Sequence, residues 1–361
     1  MKVLHVVASC GMYGKERVVL ELMREHRKAG ITSILGSIRL PDEPAKEMES
    51  IAEAEGLCVQ SFLLKRGLDF QGARKIIAYA KKTNVDIIHV HDYKGSILLG
   101  LLKRWYLMPP LIRTLHGSTA TNTWSKIALY EWLEQLSLRF YQSVIGVSEN
   151  MNELVPFPIK IIQNGISPFA KKRIRGHQDI HAFCAEGVII GSISRLSQEK
   201  NQLALINALD LLVKRGVNAK LLLIGEGEKR NSLEEKVLHL GLSDRVIMPG
   251  FVTNARQFLQ LMSLYVQPSF REGTPLSILE AMNAKVPLCM SPVGAMNTLL
   301  SRGAGYLIPI DAEGMADALF SFINSDENND SMINTAHQIF TQEYSSAVMA
   351  QAYLDEYQKL K

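Results

Sequence analysis

The sequence predicts an α/β protein built from two doubly wound, parallel-sheet halves, and three observations lead there. Short β-branched runs alternate with longer stretches of helical period along the chain, the pattern of successive strand–helix–strand units. The alternation stops after Gly165 and restarts at Val188. The length, 361 residues, is about twice that of an ordinary domain.

In chain order, KVLHVV reads as the first strand, and ERVVLELMREHRKAG follows with apolar residues at helical spacing and a terminating glycine. SILGSI, DIIHVH, LIRTLH, SVIGVS and KIIQNG are the next short strands. Runs this apolar belong in a parallel sheet covered by helices on both faces. Residues 166–187, ISPFAKKRIRGHQDIHAFCAEG, are polar and basic with Pro and Gly, and read as a connection. We therefore expect one domain over residues 1–166 and a linker over 167–187. The alternation then resumes with VIIGSIS, a helix over 201–215, KLLLIG, a helix over 229–240, RVIMPG, LYVQPS, a helix after Thr274 and VPLCMS, which makes a second domain over 188–339. The last stretch, FTQEYSSAVMAQAYLDEYQKLK (340–361), reads as one helix, and SDENND near residue 325 as a polar loop.

Composition narrows the class. A hydrophobic fraction of 47% with 21% charged residues is that of a folded globular chain. The four cysteines, Cys10, Cys58, Cys184 and Cys289, are far apart, with no CxxC spacing and no histidine cluster in the sequence, which argues against a disulfide framework and a zinc site and fits a reducing compartment. The opening MKVLHVVASCGMYG lacks the apolar length of a signal peptide, and no apolar run approaches the roughly 18 residues of a membrane span. The expectation is a cytoplasmic protein, with any membrane contact peripheral at the inner face.

The net charge of +4 is unevenly spread: residues 1–165 hold 21 Lys and Arg against 16 Asp and Glu, residues 166–361 hold 19 against 20. A basic first half fits an anionic partner such as a phospholipid surface or a lipid-linked phosphate; an uneven solvated surface fits it equally. Nucleic acid is not expected, because no helix-turn-helix, zinc-finger or RNP signature is present. The segment SILLGLLKRWYLMPPL (96–111) sets Lys103, Arg104, Trp105 and Tyr106 beside a leucine run. It reads as a peripheral membrane edge or as a buried helix with a snorkelling end.

In doubly wound sheets ligands sit beyond the carboxyl ends of the strands. In the second half those positions read RLSQEKN after VIIGSIS, EGEKR after KLLLIG, GFV after RVIMP and FREGTPLSILEAM after LYVQPS. Arg195 and Lys200 near a helix start suit a diphosphate, which backbone N–H groups and the helix dipole also favour. Singly, each motif also reads as surface charge, turn or cap.

Taken together, RLSQEKN, LLIGEGEKR, MPGFV and PSFREGTPLSILEAM resemble, in order and spacing, the C-terminal domain of the retaining GT-B glycosyltransferases of family 4, with their E-x7-E signature. MYGKERVVLEL, DIIHVHD, RTLHG, SVIGVSE and IIQNGIS resemble the family's N-terminal domain. The resemblance implies two Rossmann-like domains facing across a cleft, with a C-terminal helix returning to the N-terminal, acceptor-binding domain. It implies that Glu272 contacts the donor sugar, with backbone amides of Gly273, Thr274 and Leu276, around Pro275, near sugar and phosphate, and that Glu280 holds the ribose. Arg195 and Lys200 would hold the diphosphate, Phe251 and Val252 the nucleobase, His116 a hydroxyl of the donor sugar, and Gly14 would allow close backbone approach.

The implied reaction moves a sugar from a nucleotide diphosphate sugar to a hydroxyl of a glycan or polyprenyl-linked acceptor, with retention, in cell-surface polysaccharide synthesis. No cofactor and no metal are expected: no DxD motif is present and two cations can serve the diphosphate. Two alternatives remain open, a GT-B nucleotide-sugar epimerase and a catalytically silent sugar-nucleotide-binding protein. A dehydrogenase is disfavoured by GMYGKE in place of a GxGxxG fingerprint. Three positions depart from the family pattern: Tyr13 before Gly14 where two glycines are common, Lys285 where glycine is usual, and Thr298 where many relatives have glutamate.

Overall fold

The computed structural model describes residues 1–8, 11–12, 14–116, 126–169, 176–325 and 329–361. Tyr13 and part of the expected linker and of the SDENND loop lie outside them. The chain forms two compact units, Met1–Ser167 with Ser345–Lys361, and Pro168–Tyr344.

The first unit is a seven-stranded parallel sheet in the order β3-β2-β1-β4-β5-β6-β7. Its strands are β1 (Lys2–Val7), β2 (Thr32–Arg39), β3 (Cys58–Leu63), β4 (Ile87–Val90), β5 (Leu111–Leu115), β6 (Ser143–Gly146) and β7 (Lys160–Ile161). The crossovers carry α1 (Gly14–Lys28), α2 (Glu47–Ala54), α3 (Phe70–Lys82), α4 (Tyr93–Lys103) and α5 (Lys126–Leu138). Valines and isoleucines of β1, β2 and β4 are buried together with Ile76, Ile77, Leu98 and Leu99 of α3 and α4, as expected of strands covered on both faces. Asp92 caps α4 by accepting from Gly95 N at 2.8 Å and also accepts from Ala8 N. One carboxylate thus starts a helix and fixes the end of the neighbouring strand. Gly14 is the first residue of α1 rather than part of the preceding loop.

The second unit has a six-stranded parallel sheet in the order β10-β9-β8-β11-β12-β13. Here α6 (Gln178–Phe183) precedes β8 (Val188–Ile193), α7 (Gln202–Lys214), β9 (Ala219–Ile224), α8 (Arg230–His239), β10 (Val246–Gly250), β11 (Leu264–Gln267), α9 (Leu276–Ala284), β12 (Leu288–Met290), α10 (Ala295–Ser301), β13 (Tyr306–Leu307), α11 (Ala312–Ile323) and α12 (Asp330–Glu343). The chain order reverses between β8 and β11, so the loops after those two strands flank the switch point where ligands of such sheets collect.

Two boundaries differ from the expected ones. Ile180 is fully buried on α6, so part of the expected linker is held by the second unit. The expected single helix over 340–361 is two: α12 ends at Glu343, and Ser345 begins α13 (Ser346–Lys359) in an extended conformation with its hydroxyl facing Val348 N. A serine in that geometry favours an N-cap over a helix interior. α13 belongs to the first unit, where Tyr353 and Tyr357 are buried and Ser346 Oγ donates to Glu25 of α1 at 2.7 Å.

Among the described residues, no helix is long and apolar enough to cross a membrane. α4 buries Ile97, Leu98, Leu99 and Leu102. Lys103 turns back to the carbonyls of Met108 and Pro109, leaving Trp105 and Leu107 exposed at 69% and 88%.

Candidate functional site

Beyond the carboxyl ends of β8 and β11 the second unit assembles a buried polar string. On β11 and its extension, Tyr265, Gln267 and Ser269 alternate onto one face. Tyr265 Oη donates to Gln267 Oε1 at 2.8 Å, Gln267 Nε2 donates to Ser269 Oγ and to Glu272 Oε1, both at 2.8 Å, and Ser269 Oγ donates to Glu272 Oε1 at 2.7 Å. Lys200 Nζ completes the arrangement with a 2.6 Å contact to the same oxygen. The pair is mostly enclosed, with side-chain exposures of 17% for Lys200 and 7% for Glu272. A carboxylate taken this far out of water requires such donors.

The loops are joined by backbone as well. Phe270 N donates to Glu199 O at 2.9 Å, and the side-chain amide of Asn201 reaches Pro268 O and Ile310 O. Asn201 itself is left-handed, φ 57°, between a 3-10 turn at Gln198–Lys200 and α7. That conformation is one asparagine tolerates better than most residues. Gly225, at φ +145°, lies so near β8 that a Cβ would fall 2.0 Å from Ser194 O, and at Gly294, φ +53°, it would fall 2.1 Å from Glu272 O. Both close approaches require glycine.

The expected residues fall unevenly. Lys200 and Glu272 are in direct contact; Arg195 shares the loop but is exposed and pairs with Glu199 at 2.5 Å. Gly273, Thr274, Pro275 and Leu276 form the turn into α9, with Pro275 just before its first residue. Glu280 is 2% exposed on α9. Burial raises the Tyr265 hydroxyl pKa, and the charges of Glu272 and Glu280 add to the rise; the two carboxylates are therefore electrostatic neighbours of one tyrosine. Phe251 is 67% exposed and available for stacking, whereas Val252 is 5% exposed and packs inward. At Val252 only the backbone, and not the side chain, is left to face a ligand. Lys285 ends α9 at φ 56°, the left-handed position where glycine is usual.

Sequence reasoning missed Tyr265, Gln267 and Ser269 as the support of Glu272. Their signal is polar residues at every second position of an otherwise apolar strand.

In the first unit, His116 follows β5 and its Nε2 lies 3.2 Å from His91 Nδ1. Burial lowers its pKa well below the usual value, and Arg113 and Lys15 push the same way. The sequence shows no histidine cluster, but the fold makes one: donor nitrogens of His5, His89 and His91 lie within 4.8 Å of one another.

Two Rossmann-like sheets, each with a strand-order reversal, make up a GT-B architecture. Known proteins agree. The model of Glycosyltransferase Family 4 matches residues 12–168 and that of Glycosyl transferases group 1 matches residues 177–339. A UDP-Gal:α-D-GlcNAc-diphosphoundecaprenol α-1,3-galactosyltransferase of Escherichia coli is 26% identical over 73% of this chain and 72% of its own length. A capsular polysaccharide biosynthesis glycosyltransferase, CapM of Staphylococcus aureus, is 26% identical over 78% of each. The crystal structure of Anabaena Alr3699/HepE in complex with UDP superposes with a TM-score of 0.83 at 20% identity over the whole of both chains. The chain is a glycosyltransferase of the family 4 type with the GT-B fold.

Proposed function

We propose that the enzyme transfers a sugar from a UDP-sugar to a hydroxyl of a lipid-linked or polysaccharide acceptor, with retention at the anomeric carbon and without a metal ion. The observation that carries this reading is the Lys200–Glu272 pair held by Gln267 and Ser269 at the sheet's switch point. The E. coli and S. aureus relatives support the acceptor class, and the E. coli relative and the UDP complex of Alr3699/HepE support the base.

On this reading Glu272 accepts from hydroxyls of the donor sugar and Glu280 from the ribose. The amides of Gly273, Thr274 and Leu276 serve sugar and phosphate, Phe251 stacks on the base, and Gly14 permits backbone approach. His116 meets a donor-sugar hydroxyl. Lys200, oriented in advance by Glu272, and Arg195 offset the charge that grows on the diphosphate as the glycosidic bond breaks. They take the place of a divalent ion. The leaving phosphate accepts the proton of the attacking acceptor hydroxyl on the same face, so the new bond forms on the side the old one leaves and configuration is kept. Trp105 and Leu107 give the first unit a peripheral membrane contact at the cytoplasmic face, near a polyprenyl acceptor.

Thermal shifts with UDP, GDP and ADP in the presence of EDTA test the donor site. UDP at a hundredfold excess over its Kd should stabilise the protein by about 2.7 kcal/mol, and Glu280→Gln should weaken the shift. No shift with any of the three sinks the reading. Flotation with anionic vesicles at low salt tests the membrane contact; unchanged flotation of a Trp105→Ala, Leu107→Ala variant would exclude these side chains.

A further inference from the structure

Five of the nine histidines are gathered in the first unit. His5 on β1 and His89 on β4 are register partners, His91 is two residues beyond His89, and His26 of α1 lies with its ring 5.3 Å from that of His5. His116, two residues beyond Thr114, completes the row. Within it runs a continuous line of ring contacts: His5 Nδ1 to His91 Nε2 at 3.1 Å, then His91 Nδ1 to His116 Nε2 at 3.2 Å. His89 packs against His91 with ring centroids 4.0 Å apart and is itself fixed at both nitrogens, by Tyr357 Oη and Thr114 Oγ1, each at 2.7 Å.

A neutral imidazole has one N–H and one lone pair, and burial keeps His5, His91 and His116 neutral at pH 7. Each contact must therefore set an N–H against a lone pair, and the direction of one fixes the direction of the other. The inner end decides between the two directions. Among the described residues, His5 Nε2 is buried with no hydrogen-bond partner. If the line ran inward from His116, that nitrogen would carry an unpaired buried N–H, the rarer and more costly kind of orphan. Running outward, it holds only an unpaired lone pair. His5 Nδ1–H then donates to His91 Nε2, His91 Nδ1–H donates to His116 Nε2, and the proton of His116 is left on Nδ1.

We propose that His5 and His91 are positioning residues which, through this one-way relay, fix His116 as the Nδ1–H tautomer, so that it meets the donor sugar as a hydrogen-bond donor. The role of the sugar rests on the proposed function; the tautomer does not. A metal ion on His5, His89 and His91 would compete for the same atoms, because both nitrogens of His89 and of His91 are already engaged.

Long-range proton–nitrogen correlation spectra of the full chain, with 15N-labelled histidine at pH 7.5, test the proposal directly. His116 should show a single tautomer protonated at Nδ1. His91→Leu should release it to a tautomer mixture and lower kcat/KM for the donor sugar by about tenfold or more, with UDP binding unchanged. His91→Asn, whose amide nitrogen can replace Nδ1–H, should restore both. An Nε2–H tautomer in the wild type, a pure Nδ1–H tautomer persisting in His91→Leu, or tightly held zinc in the purified wild type would each overturn the relay. Failure of UDP to bind while His116 keeps its Nδ1 proton would remove the proposed function and leave the relay standing.

Discussion

Acid should unfold the first unit well before its carboxylates titrate. His26 on α1 is held by burial at a pKa of about 4, against the ordinary 6.5, with the Glu25 charge opposing the fall only in part. Its folded pKa is depressed, so below pH 6.5 the unfolded chain binds the proton that the folded one refuses, and stability is lost as pH falls from 6.5 toward 4. Between pH 7.5 and pH 5 the linkage is about 2 kcal/mol for this one residue. His5, His89, His91 and His116 are shifted the same way, each by burial first; His89 and His26 add to the effect on His5, and Arg113 acts on His89, His91 and His116. A domain has only about 5–15 kcal/mol in total, so His26 alone is a sizeable part. The assay is urea unfolding at pH 7.5 and pH 5 followed by tryptophan fluorescence, which reports the first half alone because all three tryptophans, Trp105, Trp124 and Trp132, lie there. The urea midpoint should fall sharply, and His26→Gln should recover about 2 kcal/mol of the pH-dependent loss. Equal midpoints at the two pH values would refute the reasoning.

Two further outcomes are expected. Lys200→Met should destabilise the second unit by about 3 kcal/mol by leaving the Glu272 carboxylate short of a partner, and Glu272→Gln in the same chain should return part of that loss. Calorimetry over the four proteins of the cycle measures the coupling, and a value below about 0.5 kcal/mol would show the contact to be energetically idle. Lys285→Gly, at φ 56°, should stabilise by about 1 kcal/mol through relief of the left-handed strain; an unchanged or lower melting temperature would mean that the lysine makes a compensating contact.

The strands that escaped the sequence show where its information thins. β3 has one buried residue among six, so it lacks the apolar run that marks its neighbours. β13 has two residues, too few for any period. The break at Ser345 was hidden because serine in a helical pattern reads as ordinary until its backbone is seen to be extended. Lys200 and Glu272, which meet in the fold, could be singled out because they lie in short segments beside strand ends, where local spacing and motif order carry the signal.

By itself, then, the sequence determined two parallel α/β halves and the loops that hold the charged residues, since these follow from periodicity and short-range turn chemistry. Only the tertiary structure decided that Lys200 meets Glu272 across 72 residues, that Val252 turns inward while Phe251 stays exposed, and that His5, His91 and His116 form one line. Those contacts depend on strand order and on which face each side chain takes. A parallel sheet sets both only when distant strands pair, so histidines more than 80 residues apart show no common purpose in the sequence and become neighbours in the fold.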